Sequence, residues 1–152
     1  MDIKIIGYRQ AAKHKPSVPT LAIRIFDSYP DSDNSPKILL RDSSLYTICP
    51  YTFDDINLDT LLRDYPETDV FELRQKHIPF NENIAKQIIT DFENNRKEKL
   101  ELLVHCTLGA SRSPAVAIAL NEIFNLGNNT DKMKARYSAF NTYIYRLMLE
   151  AV

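Results

Sequence analysis

The segment HCTLGASRS, residues 105–113, concentrates side chains that could do chemistry. It places a thiol at Cys106, a guanidinium at Arg112 and a hydroxyl at Ser113. Gly109, one of only three glycines in the chain, lies between them and allows a tight turn without a Cβ in the way. Because a guanidinium can grip two oxygens of a phosphate at once, the segment predicts a nucleophilic sulfur beside a bound oxyanion.

Two apolar runs flank this segment and would position it. Residues 100–106 (LELLVHC) are compact and apolar, as in a buried parallel strand. Residues 114–124 are apolar on most sides, as in a buried helix, with Ser113 as its predicted N-cap and Pro114 in its first position. Where such a strand meets such a helix, the backbone amides of the loop form an anion-binding concavity. The same donors would stabilise a thiolate at Cys106.

The first two thirds of the chain predict further strands and one long helix. Residues 2–6 and 20–26 have the composition of short strands. Residues 43–53 predict a strand pair or a single kinked strand, since Pro50 lacks a donor for the ladder. From residue 83 to about residue 97 the apolar period becomes helical. The apolar face of that helix is formed by Ile84, Ile88, Ile89 and Phe92.

The last third predicts two more helical segments. Gly127 is expected to end the helix that follows the signature, and Asn129 or Thr130 to cap the next segment. The final apolar stripe consists of Phe140, Tyr143, Ile144, Leu147 and Met148. This order of elements predicts an α/β fold with a central, mostly parallel sheet flanked by helices. We expect a single domain over residues 1–152, with the central strand ending at Cys106.

Composition limits the partners. The 19 basic and 20 acidic residues give a formal net charge of −1, so no global field favours a nucleic-acid or membrane partner. Cys49 and Cys106 form no CxxC motif and the N-terminus carries no signal pattern, which predicts a cytoplasmic protein. Export without a cleaved signal leaves no such pattern. The three histidines show no ligand spacing with the cysteines, so we expect no metal and no cofactor. A buried apolar role for Cys49 is favoured over a disulfide.

The pattern H-C-x5-R-[S/T] in residues 105–113 resembles the signature of the cysteine-dependent protein tyrosine phosphatases, and most of all the dual-specificity branch. The following PAVAIAL is similar to the next helix of that branch, and the N-terminal strands and the ending FNTYIYRLM look like small prokaryotic tyrosine phosphatases. The resemblance implies a dual-specificity-phosphatase-like fold. It also implies a protein phosphatase activity that passes through a phosphocysteine intermediate, with a phosphorylated protein as partner and a monomeric enzyme.

The resemblance assigns roles to individual residues. Cys106 would attack phosphorus, and Ser113 would hydrogen-bond the sulfur and help it leave in the second step. Arg112 would hold the transferring group and its charge in the transition state. His105 would order the loop from behind. The phosphate would be held by the amides of Thr107, Leu108, Gly109, Ala110, Ser111 and Arg112.

A general acid must protonate the leaving oxygen and later activate water. The segment YTFDDIN, residues 51–57, resembles the acid loop of the family, and this match makes Asp55 the acid. Its separation from Cys106 is longer than expected for a small dual-specificity domain, with the extra length at residues 57–80. The acid could therefore instead be Asp54, Asp69 or Glu82.

Three other classes of protein fit the sequence less well. The low-molecular-weight tyrosine phosphatases carry their signature at the N-terminus, and rhodanese-like sulfurtransferases have a spacing to arginine that is one residue shorter. A non-enzymatic phosphate-binding module would need the acid loop to be misplaced. None of the residues between Cys106 and Arg112 is basic, which argues against inositol lipids. We expect phosphotyrosine as the preferred substrate, with phosphoserine and phosphothreonine as further candidates.

Overall fold

The computed structural model describes residues 1–152 and contains four strands and seven helices. The strands form one fully parallel sheet in the order β1-β4-β2-β3. This confirms the predicted α/β fold with a parallel central sheet flanked by helices. The strands are β1 (Asp2–Gly7), β2 (Thr20–Phe26), β3 (Tyr46–Thr52) and β4 (Glu101–Cys106).

The helices connect the strands and cover both faces of the sheet. They are α1 (Tyr8–Lys13), α2 (Leu58–Asp64), α3 (Val70–Lys76), α4 (Glu82–Asn95), α5 (Arg112–Phe124), α6 (Thr130–Arg136) and α7 (Thr142–Glu150). None of them is both long enough and apolar enough to span a membrane.

The two faces of the sheet carry cores of different size. Along β2, alternate side chains point to opposite faces. Leu21, Ile23 and Ile25 join a cluster of 22 buried residues that includes side chains of α4, α5 and α7. Ala22 lies in a cluster of four on the other face, with Ala11 of α1. The larger core holds α5 against the sheet and α7 against α5.

Strand β4 lies at the centre of the sheet and is buried from its second residue to its last. It pairs with β1 on one side and β2 on the other, so that Gly7 lies opposite Cys106 and Arg24 opposite His105. Because parallel strands end at the same edge, the residues that follow β2 and β3 also converge on this edge. Cys106 therefore lies where four strand ends meet.

Of the two alternatives predicted for residues 43–53, the single strand is the correct one. Residues 43–53 contain one strand, β3, and Pro50 lies in it at the edge of the sheet, where a missing donor is tolerated. The expectation that Ser113 caps a helix starting at Pro114 is wrong. Helix α5 begins at Arg112, and Ser113 lies inside its first turn, fully buried.

Asparagine residues lie at several other helix ends. Helix α5 ends at Phe124, before Gly127, because Asn125 adopts a left-handed conformation with φ 51°. Of the two predicted caps for the next helix, Asn129 is correct, since its side chain accepts a hydrogen bond from the amide of Lys132. The predicted helix near residues 83–97 is α4, capped by Asn81.

Candidate active site

The loop between β4 and α5 turns sharply against the end of β1. Gly109 has φ +74°, and a Cβ on it would lie 2.6 Å from the carbonyl carbon of Ile6. Gly7 is restricted by space alone, because its Cβ would lie 2.8 Å from the carbonyl oxygen of Thr107. Two of the three glycines thus let the loop and β1 approach backbone to backbone.

Cys106 lies at the bottom of this loop, 2% exposed. Its Sγ accepts a hydrogen bond from the amide of Gly109 at 3.3 Å and lies 3.2 Å from the Oγ of Ser113. A thiolate can only accept, so in that form both groups donate to the sulfur. The helix start at Arg112 brings the Ser113 hydroxyl back toward the sulfur.

The amides of the loop point to an anion-binding function. Apart from that of Gly109, none of them donates to an acceptor within the protein; these are the N–H groups of Thr107, Leu108, Ala110, Ser111 and Arg112. Leu108 and Ala110 are exposed, so their amides are accessible to a ligand from solvent. Such a run of free amides at the N-terminus of a helix is the arrangement that binds phosphate.

The guanidinium of Arg112 is 4% exposed and firmly held. Its Nη1 donates to the carbonyl oxygen of Phe53 at 2.8 Å. Its Nη2 lies 2.7 Å from Oδ1 of Asp27 and 2.8 Å from the Oγ1 of Thr107. Its Nε has no hydrogen-bond partner in the protein, which leaves it available to an oxyanion.

Asp27 was not predicted as a site residue, yet it anchors Arg112. It follows directly after β2 and is 7% exposed. Burial alone would raise the pKa of Asp27, but the hydrogen bond from Ser32 and the charge and hydrogen bond of Arg112 outweigh it, so the pKa lies below its usual range. The Thr107 hydroxyl also donates to this carboxylate, at 2.9 and 3.0 Å. Asp27 is therefore an anion that holds the Arg112 guanidinium in place.

The predicted acid Asp55 lies beside the loop. Its Oδ1 accepts hydrogen bonds from the hydroxyl of Ser111 at 2.7 Å and from Nδ2 of Asn141 at 2.9 Å. Its Oδ2 has no partner in the protein, and the residue is exposed. Oδ2 is thus the oxygen that is free to carry a proton. Asn141, which sequence reasoning missed, also binds the loop through its amide, which donates to the Ser111 carbonyl oxygen at 3.1 Å.

The neighbouring Asp54 connects three loops through hydrogen bonds to its buried carboxylate. It is 5% exposed. Its carboxylate accepts hydrogen bonds from the amide of Ser28 at 2.9 Å, from the hydroxyl of Ser28 and from the amide of Ile78 at 2.8 Å. These bonds tie the chain after β3 to the loops after β2 and after α3. An acid with both oxygens occupied in this way is poorly suited to proton transfer.

The two remaining candidates for the acid have other partners. The side chain of Asp69 caps α3 by accepting from the amide of Glu72 at 3.1 Å. Glu82 pairs with Lys86 at 2.9 Å on the exposed surface of α4. Neither lines the cleft that contains Arg112. Of the four candidates, only Asp55 combines a contact to the loop with a free oxygen.

His105 is fully buried behind the loop. Its Nε2 accepts a hydrogen bond from the Nε of Arg24 at 3.0 Å, and its Nδ1 lies 3.4 Å from the carbonyl oxygen of Cys106. Burial first, and then the charge of Arg24, lowers the pKa of His105 to about 4. The imidazole is therefore neutral at physiological pH. It contacts the backbone of Cys106, as a residue that orders the loop would.

The second cysteine lies away from this site, in β3. Cys49 is half-buried and unbonded to Cys106. Burial raises the pKa of its thiol, so it stays protonated at neutral pH.

A cleft of about 540 Å³ opens beside Arg112 and Asp55. Its apolar lining comes largely from residues that sequence reasoning did not select: Tyr29, Leu61, Tyr65 and Leu73. Three of these lie on or next to α2 and α3, within residues 57–80, the extra length noted in the sequence. That segment therefore forms one wall of the cleft.

No family model and no curated protein matches the chain. Among solved structures, it is similar to a human tyrosine phosphatase-like serine/threonine/tyrosine-interacting protein, with TM-score 0.43 and 19% identity over 86% of this chain and 74% of that one. It is also similar to Tk-PTP in its active form, with TM-score 0.43 and 14% identity over 100% of this chain and 94% of that one. Because both TM-scores lie below 0.5, neither similarity defines the function of this chain.

Proposed function

We propose that the chain is a cysteine-dependent phosphatase that hydrolyses phosphomonoesters through a phosphocysteine intermediate. One observation supports this above all others. A buried sulfur, within reach of the Gly109 amide and the Ser113 hydroxyl, lies under a loop with five free amides and beside a fixed guanidinium. A purely structural cysteine would need neither the free amides nor a buried ion pair next to them.

The first step transfers the phosphoryl group to sulfur. The free amides and the Nε of Arg112 would hold the three non-bridging oxygens over Cys106 and stabilise their charge in the transition state. The Cys106 thiolate forms a bond to phosphorus as the bond from phosphorus to the ester oxygen breaks. The proton on Oδ2 of Asp55 goes to that leaving oxygen.

The second step returns the enzyme to its starting state. A water attacks the phosphorus of the phosphocysteine and gives its proton to the Asp55 carboxylate. The sulfur–phosphorus bond breaks, and the thiolate leaves. Because the Ser113 hydroxyl lies 3.2 Å from the sulfur, it can donate to the thiolate as the charge develops, which favours its departure.

Phosphotyrosine on a protein is the substrate class that we propose, with phosphoserine and phosphothreonine as secondary substrates. The cleft beside Arg112 is lined by Tyr29 and Tyr65 together with aliphatic side chains, a lining that suits an aromatic ring. The loop itself carries no lysine to bind a second phosphate. A small aryl phosphate and a phosphotyrosyl peptide should therefore both be turned over.

The test compares wild-type protein with Cys106→Ser on p-nitrophenyl phosphate and on phosphotyrosyl, phosphoseryl and phosphothreonyl peptides. We expect turnover by the wild type alone, with vanadate bound by both proteins. Acid quenching of the wild type during turnover should trap a phosphate on Cys106, detectable as a mass increase on the peptide that contains it.

Two results would replace this function with one of its alternatives. Vanadate binding without any turnover would identify a phosphate-binding module. Sulfur transfer from thiosulfate to cyanide, with no phosphatase activity, would identify a sulfurtransferase. Turnover that survives Cys106→Ser would exclude the phosphocysteine mechanism.

A further inference from the structure

Arg24 is a buried cation with no anionic partner. It lies in β2 and is 5% exposed, and none of the ion pairs of the protein includes it. Arginine is almost never buried unless it is paired, and burial lowers the pKa of Arg24 from its usual value. Burial of this unpaired charge costs free energy. Arg24 lies in the same sheet as Cys106, so its contacts bear on the site.

The partners of Arg24 are all neutral. Its Nε donates to Nε2 of His105 at 3.0 Å, and its Nη2 donates to the carbonyl oxygen of Ile38. The guanidinium carbon lies 4.8 Å from the centroid of the Phe26 ring. Since the parallel register places Arg24 opposite His105, the contact to the imidazole is built into the pairing of β2 with β4.

This contact fixes where His105 carries its proton. Arginine can only donate, so Nε2 of His105 must present a lone pair. A neutral imidazole has one proton, which must then lie on Nδ1. Nδ1 lies 3.4 Å from the carbonyl oxygen of Cys106, so the single N–H of the ring faces the backbone of the nucleophile.

The charged and titratable groups around His105 reinforce this state. They are Arg24 on β2, Arg112 at the start of α5 and Cys106 on β4 itself. After burial, the largest influence, the positive charges of Arg24 and Arg112 both disfavour an imidazolium, and only the carbonyl of Cys106 favours one. A second proton on Nε2 would also face the N–H of Arg24 directly.

We propose that Arg24 is a positioning residue of the active site. By holding His105 in the tautomer protonated on Nδ1, it fixes the carbonyl of Cys106 and with it the first residue of the anion-binding loop. The consequence for catalysis rests on the proposed phosphatase function, whereas the tautomer itself does not depend on any activity.

The tautomer is read directly from the ¹⁵N chemical shifts of the His105 ring. The wild type should show a protonated Nδ1 and an unprotonated Nε2 from pH 5 to pH 8. Arg24→Met removes the donor and should give a mixture of tautomers that titrates at a higher pH. Arg24→Gln removes the charge but keeps an N–H donor, so it should retain the wild-type tautomer.

Leu40→Ala is the matched control for packing. Leu40 is buried on the same face of the sheet, in a cluster with Ala22 and Leu103, and makes no hydrogen bond to His105. It should lower stability and leave the ring spectrum unchanged. For activity, we expect kcat/KM on p-nitrophenyl phosphate to fall about tenfold in Arg24→Met and less in Arg24→Gln.

The outcomes separate this inference from the proposed function. A wild-type ring protonated on Nε2, or a wild-type tautomer that persists in Arg24→Met, would overturn the role of Arg24. If Arg24→Met does not fold, the wild-type spectrum decides, because Nε2 protonation in the presence of Arg24 is incompatible with its proposed role. A wild type with the expected tautomer but no phosphatase activity would refute the proposed function alone.

Discussion

Nη2 of Arg112 lies 2.7 Å from Oδ1 of Asp27, and both side chains are almost completely buried. The pair joins the carboxyl end of β2 to the first turn of α5. It fixes the guanidinium at the side of the loop. Removing one member of a buried pair leaves the other without compensation, which is a larger loss than that of a surface pair.

Asp27→Asn should therefore impair both stability and catalysis. We expect the free energy of unfolding to fall by about 3 kcal/mol and kcat/KM on p-nitrophenyl phosphate to fall at least tenfold, because Arg112 loses its fixed orientation. Urea unfolding and steady-state kinetics measure the two effects. Ser32→Ala, which removes one hydrogen bond from the same carboxylate, should cost only about 1 kcal/mol.

The lowered pKa of Asp27 also has a consequence for acid stability. A carboxyl whose pKa is lower in the folded state stabilises the fold above the unfolded pKa, about 3.9, and this contribution is lost as the pH falls below that value. Asp27→Asn should accordingly lose less stability than the wild type between pH 4 and pH 2. Parallel acid-unfolding curves for the two proteins would contradict this.

Asp55 and Asp54 should respond to amidation in opposite ways. Asp55→Asn should reduce kcat about 10²-fold on esters with poor leaving groups, and less on p-nitrophenyl phosphate, with little change in stability because the residue is exposed. Asp54→Asn should cost about 2 kcal/mol of stability, because it leaves buried donors of Ser28 and Ile78 poorly matched. A plot of log kcat against leaving-group pKa distinguishes the two.

Asp69→Asn and Glu82→Gln serve as controls for the acid assignment. Asparagine caps a helix as well as aspartate does, so Asp69→Asn should leave both activity and stability near wild type. Glu82→Gln removes only a surface ion pair. If either of these variants, rather than Asp55→Asn, became sensitive to the leaving group, Asp55 would not be the acid.

The pKa of His105, about 4, predicts a second pH effect at milder acidity. The unfolded value is about 6.5, so folding favours the neutral imidazole. The contribution of this group to stability is complete above about pH 6.5 and is lost as the pH falls toward 4, with a slope of at most about 1.4 kcal/mol per pH unit. His105→Gln should be less stable overall and flatter across this window, as measured by urea unfolding.

Gly109 and Gly127 both have positive φ but differ in their surroundings. Gly109→Ala would push a Cβ to 2.6 Å from the backbone of Ile6, whereas Gly127→Ala meets nothing within 4 Å. We expect Gly127→Ala to cost about 1 kcal/mol from backbone strain alone. Gly109→Ala should cost more and also weaken vanadate binding, as titration would show. Equal losses in the two variants would mean that the loop can move away from β1.

The sequence was most informative where the site is continuous in the chain. Cys106, Gly109 and Arg112 lie on one strand–loop–helix unit, and the apolar runs on either side identify both the strand and the helix. The predicted start of that helix is wrong because Ser113 and Pro114 have the residue types of an N-cap and a first helical position. In the structure, the helix starts at Arg112, which brings Ser113 to the sulfur.

Residues that reach the site from elsewhere were harder to predict. Asp27 and Asn141 act through contacts that depend on β2 lying next to β4 and on α7 packing against α5. Neither neighbourhood is encoded in local composition. Helix α3 was missed for a different reason, since it buries no residue and thus lacks the apolar period that reveals a helix.

The central place of β4 in the sheet also governs when the site can form. Arg24 and His105 are adjacent in space but 81 residues apart in the chain, and β1 and β2 do not pair with each other. During synthesis, the edges of β1 and β2 that pair with β4 therefore remain unpaired until β4 emerges from the ribosome. Contacts this distant in sequence are slow to form, so we expect the loop that surrounds Cys106 to reach its final shape only after β4 has joined the sheet.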